Sequence, residues 1–214
     1  MTSAWAPIRL GDGELLAAWG AGDRTAGEAL FARHFEAIAR FFQNKIERDH
    51  DDLIQQTFLG CVEACARFRG DGSFRAFLFG VAHNVLGKHL RGRYREPSTI
   101  DFAHVSIADL GDSPSLVIAD DHRQLMMLSA LRRIPIDHQV ALELHYWEAM
   151  TAAEIGEAVG IPVGTAKTRL RRAKQLLLAE LSDLLAGVTG AEATETRLDT
   201  WAAGIRQRLD GPAT

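Results

Sequence analysis

The sequence predicts an all-α protein: two small helical domains joined by a flexible acidic linker, followed by a short C-terminal amphipathic helix. Three observations carry that expectation. Apolar residues recur at helical spacing in the long segments, and no segment shows the alternation of a half-buried strand. From Ser98 to His122 the periodicity weakens, while five acids accumulate without a single Lys or Arg, as a linker between compact units would. Finally, Thr151 to Lys174 reads as two short helices with a tight turn between them, and the rest of the chain is organised around that stretch.

In chain order, Glu14–Trp19 and Ala26–Phe42 come first. In the second, Ala29, Leu30, Ala37, Ile38 and Phe41 form an apolar stripe, edged by Arg33 and His34. Asp49, Asp51 and Asp52 crowd the start of a further helix, where negative charge is favoured against the macrodipole. That helix, about Asp52 to Arg67, is expected to turn Leu53, Phe58, Val62 and Cys65 inward and Asp52, Gln55, Gln56 and Glu63 outward.

Phe68–Phe74 is a loop by its two glycines and Asp71. Ser73 is placed to cap a helix from Phe74 to about Arg93. This helix carries Phe74, Phe77 and Phe79 at its start and Lys88, Arg91 and Arg93 towards its end. Phe77 and Phe79, taken singly, are expected in the core. An aromatic and polar loop feeding a basic helix is also how single-stranded nucleic acid is held, with bases stacked or pocketed and cations tracking phosphates.

After the linker, Arg123–Arg133 resumes helical spacing with Leu125, Met126, Leu128 and Leu131, and Pro135 breaks it. Ile136–Ala149 follows, with Val140, Leu142, Leu144 and Trp147 as bulk. Thr151 and Glu154 form a capping box. Gly160 suits the left-handed end of that helix, and Pro162 suits the first turn of the next. Val163, Ala166, Leu170, Ala173 and Leu177 then share one face. Roughly opposite lie Thr165, Thr168, Arg171, Arg172 and Gln175, flanked by Lys167 and Arg169.

From Lys167 to Lys174 there are five basic residues and no acid. Such a charge run alone would be an ordinary solvated helix. Joined to a capping box and a Gly-x-Pro turn, it reads as a helix–turn–helix whose second helix can enter the DNA major groove. The last candidate helix, Thr194–Leu209, places Leu198, Trp201, Ala202, Ile205 and Leu209 in one stripe, which needs a surface to cover.

Composition narrows the classes. The chain has 214 residues, 47% hydrophobic and 24% charged, with net charge −4, so it is neither disordered nor basic over its whole surface. The basic charge is local: Arg67 to Arg95 holds seven Lys or Arg against one acid. No signal peptide or membrane-length apolar run is visible. Cys61 and Cys65, four apart on a helix, are expected to be core residues, since the usual zinc-ligand spacing is missing. No P-loop, H-E-x-x-H or G-x-S-x-G is present, and His83, His89, His138 and His145 gather no acid–base–nucleophile set. The expectation is a reduced, cytoplasmic, non-enzymatic protein without cofactor or metal.

Taken in order, E-L-L-A-A-W-G-A-G-D, D-D-L-I-Q-Q-T-F, F-R-G-D-G-S-F-R-A-F-L-F, A-H-N-V-L-G-K-H-L-R and T-A-A-E-I-G-E-A-V-G-I-P-V-G-T-A-K-T-R-L-R-R-A resemble the extracytoplasmic-function (ECF) class of bacterial sigma factors, the promoter-recognition subunits of RNA polymerase. The likeness covers about Glu14 to Leu185. It implies that residues 1–96 bind core polymerase and recognise and melt the −10 element. Residues 97–121 would be the linker, 122–187 the −35-reading domain of four helices, and 188–214 an extension.

By position, the resemblance implies that Asp52, Leu53, Gln55, Gln56, Thr57 and Phe58 dock on the clamp coiled coil of the largest polymerase subunit. Phe68, Arg69, Asp71, Ser73 and Phe74 would belong to the loop that captures a flipped −10 base, and Asn84, Lys88 and Arg91 to the helix bearing that strand. Thr165, Lys167, Thr168, Arg171 and Arg172 would meet the −35 element, where Arg and Lys can donate to guanine O6 and N7. Three positions depart from the family pattern: Gln56 replaces a usual glutamate, His83 a frequent arginine, and Lys88 a frequent acid. An anti-sigma partner is a family expectation. Two other readings compete: a helix–turn–helix regulator acting without being a polymerase subunit, and, further off, an enzyme with a DNA-binding tail.

Overall fold

The computed structural model describes residues 10–65, 73–93, 100–111 and 122–185. Among these there are eight helices and no strand, the nearest approach to one being an isolated bridge between Ser106 and Pro135. The all-α expectation holds. The candidate helix 194–209 lies outside the described residues, as do Phe68, Arg69 and Asp71 of the loop.

Four helices build the first half. Helix α1 (Asp12–Gly20) begins where the Glu14 carboxylate accepts the Gly11 N–H at 2.7 Å. The Asp23 carboxylate caps α2 (Arg24–Gln43), accepting from the Thr25 and Ala26 amides. Asp51 and Asp52 lie in the first turn of α3 (His50–Cys65), and the Ser73 hydroxyl caps α4 (Phe74–Gly92). Leu30, Ile38, Phe42, Leu78, Phe79 and Leu86 fill the space between these helices and are essentially inaccessible to water. Helix α1 is tied down by Asp12, whose carboxylate accepts from Arg33 at 2.6 Å and from His34 Nε2 at 2.8 Å.

The second half is α5 (His122–Arg133), α6 (Ile136–Tyr146), α7 (Ala152–Val159) and α8 (Val163–Leu185). Val140, Leu144, Ile155, Ala166, Ala173 and Leu177 form its interior. The apolar interior runs without a break from one half into the other. Helix α4 packs on α7, the C-terminal end of α2 meets α5 and α6, and charged groups bridge the seam.

Three expectations need correction. Val62 is 47% exposed. It sits nine residues, or about 180° of helical rotation, from buried Leu53, so a helix covered on one side cannot bury both. Val163 is 48% exposed, because the first residue of α8 lies against Gly156 of α7 with its backbone and its side chain is left to water. Residues 100–111 are not a loose linker either. Phe102 and Ile107 are buried, and the Ile136 and Asp137 amides donate to the Val105 and Phe102 carbonyls at 2.9 and 3.0 Å. Two of the acids that suggested a solvated linker are turn caps: Asp101 accepts the Ala103 N–H, and Asp109 accepts from the Ser106 amide and hydroxyl.

Candidate nucleic-acid interface

The helix–turn–helix is built as its residues dictate. The Thr151 hydroxyl accepts the Glu154 amide while the Glu154 carboxylate accepts the Thr151 N–H at 2.8 Å, closing the capping box. The backbone and hydroxyl of Thr151 hold the Glu154 carboxyl below its ordinary range. Gly160 ends α7 at φ 71°, a conformation that costs glycine nothing. The Ile161 N–H then returns to the Gly156 carbonyl at 2.9 Å. Pro162 precedes α8 rather than opening it, and its carbonyl accepts the Ala166 amide.

On α8, buried Ala166, Leu170, Ala173 and Leu177 turn towards α5–α7. Thr165, Lys167, Thr168, Arg171 and Arg172 are all exposed. Among the described residues no acid pairs with Lys167, Arg171 or Arg172. Arg169 differs: it is half-buried and bonds the Asp137 carboxylate at 3.0 Å, so it fastens α8 to α6. His138 beside it is held below the usual histidine range, first by burial and then by Arg169 and Arg172. The N-terminal half of α8 therefore presents unneutralised cations and the Thr165 hydroxyl, groups that donate to phosphates and base edges, whereas the Thr168 hydroxyl donates to the Gly164 carbonyl at 3.1 Å.

A second basic strip lies on α4. Asn84, Lys88 and Arg91 are exposed at i, i+4 and i+7, with the Arg91 guanidinium 5.0 Å from the Phe102 ring centre. Phe102 thus steadies one cation of the strip. At the head of α4, Phe74 is 4% exposed and packs against His34 and Phe77. Its ring is part of the core in this arrangement, and the Ser73 hydroxyl is committed to the cap. Neither is open to a base as the helix stands.

Helix α3 divides its six candidate contact residues. Asp52, Gln55 and Gln56 are exposed. Leu53 and Thr57 are buried, the Thr57 hydroxyl donating to the Leu53 carbonyl at 2.8 Å, so both support the helix from within. Phe58 is half-buried and stacks on Phe35, ring centres 6.1 Å apart and 6° from parallel. Sequence reasoning overlooked the apolar part of this face: Phe35 is 47%, Leu59 59% and Val62 47% exposed. The signal was available, since Gln55, Leu59 and Val62 fall at i, i+4 and i+7, which puts two aliphatic groups on a face otherwise polar. Exposed apolar groups ringed by polar ones mark protein contact surfaces.

Two family models match the chain: Sigma-70 region 2 over residues 30–96 and Sigma-70 region 4 over residues 124–177, together more than half its length. Among characterised proteins it is 24% identical over 173 residues to the ECF RNA polymerase sigma-E factor of Haemophilus influenzae, covering 77% of this chain and 92% of that one. It is 27% identical over 177 residues to the RNA polymerase sigma-H factor of Pseudomonas aeruginosa, covering 77% and 90%. Among solved structures, CnrH in complex with the cytosolic domain of CnrY matches with a TM-score of 0.55 at 24% identity, covering 83% of this chain and 99% of that one. The sigma factor RpoE of Bartonella quintana, in complex with the anti-sigma factor NepR, matches with a TM-score of 0.55 at 20% identity, covering 75% and 97%. These last two establish likeness of fold.

Proposed function

Given that the chain belongs to the ECF sigma factors of bacterial RNA polymerase, we propose how its surfaces divide the work of promoter recognition. The protein is a sigma factor, a transcription initiation factor. Residues 1–96 hold core polymerase and the −10 strand, and residues 122–187 read the −35 duplex. The observation that carries this division is the pair of exposed basic strips, one in each matched region: Asn84, Lys88 and Arg91 on α4, and Lys167, Thr168, Arg171 and Arg172 on α8.

Each strip suits its task. The α8 strip stands on a rigid helix opposite its packed face, the presentation that major-groove readers use. Arg171 and Arg172 are the candidates for base edges, while Thr165 and Lys167 hold phosphates at the helix start. The α4 strip tracks a single strand, and loop residues Phe68, Arg69 and Asp71 take an extruded base, while Ser73 and Phe74, committed to the cap and the core, anchor the loop to α4. Pairing an extruded base with a pocket offsets part of its lost stacking and makes melting favourable. Lys88, where relatives often carry an acid, adds a phosphate contact there.

The polymerase-facing surface is α3 with α2. Asp52, Gln55 and Gln56 supply polar specificity, and Phe35, Phe58, Leu59 and Val62 supply the apolar anchors that such interfaces need. The clamp coiled coil of the largest polymerase subunit is the proposed partner. An anti-sigma protein is proposed as a regulator, since one structural neighbour, the sigma factor RpoE, was captured with the anti-sigma factor NepR. The chain performs no chemistry of its own in this account; the polymerase does. No helix among the described residues is long and apolar enough to cross a membrane.

Run-off transcription with core polymerase on a promoter library tests the reading. Transcripts that require both this protein and core polymerase, from promoters sharing two spaced elements, are expected. Tight duplex binding with no core complex and no transcript would instead favour a regulator that acts without the polymerase.

A further inference from the structure

The seam between the two halves is more than incidental contact. Lys45, two residues beyond α2, is fully buried, and its ammonium donates to the Phe41 carbonyl at 2.7 Å and to the Glu143 carboxylate of α6. Glu143 is buried in turn and also accepts from Gln139 at 2.9 Å. Around this pair, Arg40 bonds Glu148 at 3.2 Å and Arg132 Nε donates to the Asn44 carbonyl at 3.2 Å. His83 of α4 lies 3.9 Å from Asp137. Nearer the start of α4, a Cβ added at Gly80 would stand 3.0 Å from the Ala158 carbonyl oxygen. Helix α7 thus rests on the backbone of the helix that carries the −10 strip.

That contact sets a limit on reach. From Ala158 the chain needs seven residues to arrive at Thr165, at most ~25 Å even if fully extended. From Gly80 to Asn84 is four helical residues, about 6 Å. The start of the −35 strip therefore lies within ~35 Å of the −10 strip. Promoter elements whose names place them about 25 base pairs apart are separated by ~85 Å of B-DNA, and DNA is stiff over so short a length. One closed molecule cannot engage both.

We propose that the seam is a latch: the unengaged chain is held closed by the buried Lys45–Glu143 pair and the Gly80 seat, and it must part there before both promoter elements can be read. This rests on the sigma-factor reading. An ion pair suits a latch better than apolar packing would. Burying two charges costs nearly what their attraction returns, so the pair enforces register without great net stability. On opening, both charges regain water. Burial pushes the Lys45 ammonium down and the Glu143 carboxyl up, against their mutual attraction, which marks the closed form as the one under electrostatic load.

The test uses the full chain. Small-angle X-ray scattering of the wild type is expected to give a radius of gyration near the ~17 Å of one compact body of this length. Glu143→Leu strands Lys45 in the closed form but leaves it hydrated in the open one. Scattering should therefore expand, and the concentration for half-maximal run-off with core polymerase should fall at least ~3-fold as the competent fraction rises. Adding Lys45→Met to Glu143→Leu removes the stranded charge and should restore compactness. Gly80→Leu wedges the seam from the other side and should expand the chain even where Glu143→Leu fails to fold. A wild type that already scatters as two separated bodies overturns the latch, as does a folded wedge variant that stays compact. Should the wild type give no transcript at saturating core polymerase, the promoter reading fails, while scattering still decides the latch.

Discussion

Gly156→Ala should disable the helix–turn–helix while leaving the first half intact. Gly156 lies in α7, beneath the turn that leads into α8. A Cβ there would stand 2.7 Å from the Ile161 carbonyl oxygen and 3.6 Å from the Val163 amide nitrogen. Both neighbours are backbone, so no side-chain rotation relieves the clash. Overpacking of this kind costs about 1–3 kcal/mol, and a backbone-on-backbone contact belongs near the upper end. Replacing a mid-helix glycine with alanine returns about 1 kcal/mol. The net is a loss of about 2 kcal/mol, or a melting temperature lower by roughly 4–8 °C in a chain of this size. The clash also pushes α8 away from α7 and so should reset the angle at which Arg171 and Arg172, the proposed base readers, are presented. Gly164→Ala is the internal control, because nothing lies within 4 Å of its Cβ position, and it should be neutral or slightly stabilising. Thermal unfolding followed by circular dichroism, with fluorescence anisotropy on a −35 duplex, separates the two. A Gly156→Ala protein that melts and binds like Gly164→Ala would refute the reasoning.

Arg171→Ala, at an exposed position, should leave stability within about 0.5 kcal/mol yet lower discrimination for the −35 element by about 1–3 kcal/mol, roughly 5- to 150-fold; competition binding with matched and mismatched duplexes measures it, and core binding should be unchanged. Leu59→Asp should weaken core polymerase binding by about 1–2 kcal/mol or more, roughly 5- to 30-fold, with an unaltered unfolding curve, since Leu59 is 59% exposed; surface plasmon resonance against core polymerase checks it. Burial holds His34 below the usual histidine range, only partly opposed by Asp12, so its neutral form is the folded one and its Nε2 donates to the Asp12 carboxylate. A lowered histidine contributes stability that is present above about pH 6.5 and lost as pH falls from there towards its folded value. Burial would raise the Asp12 carboxyl, but its bonds to Arg33 and His34 hold it low, so its own contribution persists until pH falls below its ordinary range of about 3.8. Urea unfolding of wild type and His34→Gln from pH 8 to 5 should show a steeper slope in the wild type, the variant keeping only what His138, also held low, contributes; equal slopes would refute the assignment to His34.

Much of the molecule is legible from local chemistry. Helix existence follows from apolar period, and the caps at Asp23, Ser73 and Thr151 and the left-handed Gly160 follow from residue type and position alone. The exposed basic strip of α8 is legible too, because a one-sided helix turns whatever is opposite its apolar stripe towards water. Position along the chain was a poorer guide where a helix is covered only over part of its length or on one narrow side. Val62 and Val163 look like core residues by hydropathy, yet Val62 stands on the face of α3 opposite Leu53, beside buried Cys61, and Val163 meets α7 only through its backbone at the start of α8. Leu53 and Thr57 look like contact residues by motif, yet the same geometry turns them inward. The acids of 100–111 signalled solvent, although Asp101 and Asp109 bond the turns that carry Phe102 and Ile107 into the core.

By itself, the sequence determined an all-α chain, its helix–turn–helix and the two basic strips, because each depends on interactions within a few residues. What only the tertiary structure decided was the relation between the halves. Lys45 and Glu143, 98 positions apart, carry no local sign of each other, and Gly80 declares its seat only when Ala158 is beside it. Contacts between distant segments depend on which surfaces the whole chain buries together, and no pattern of short period records that.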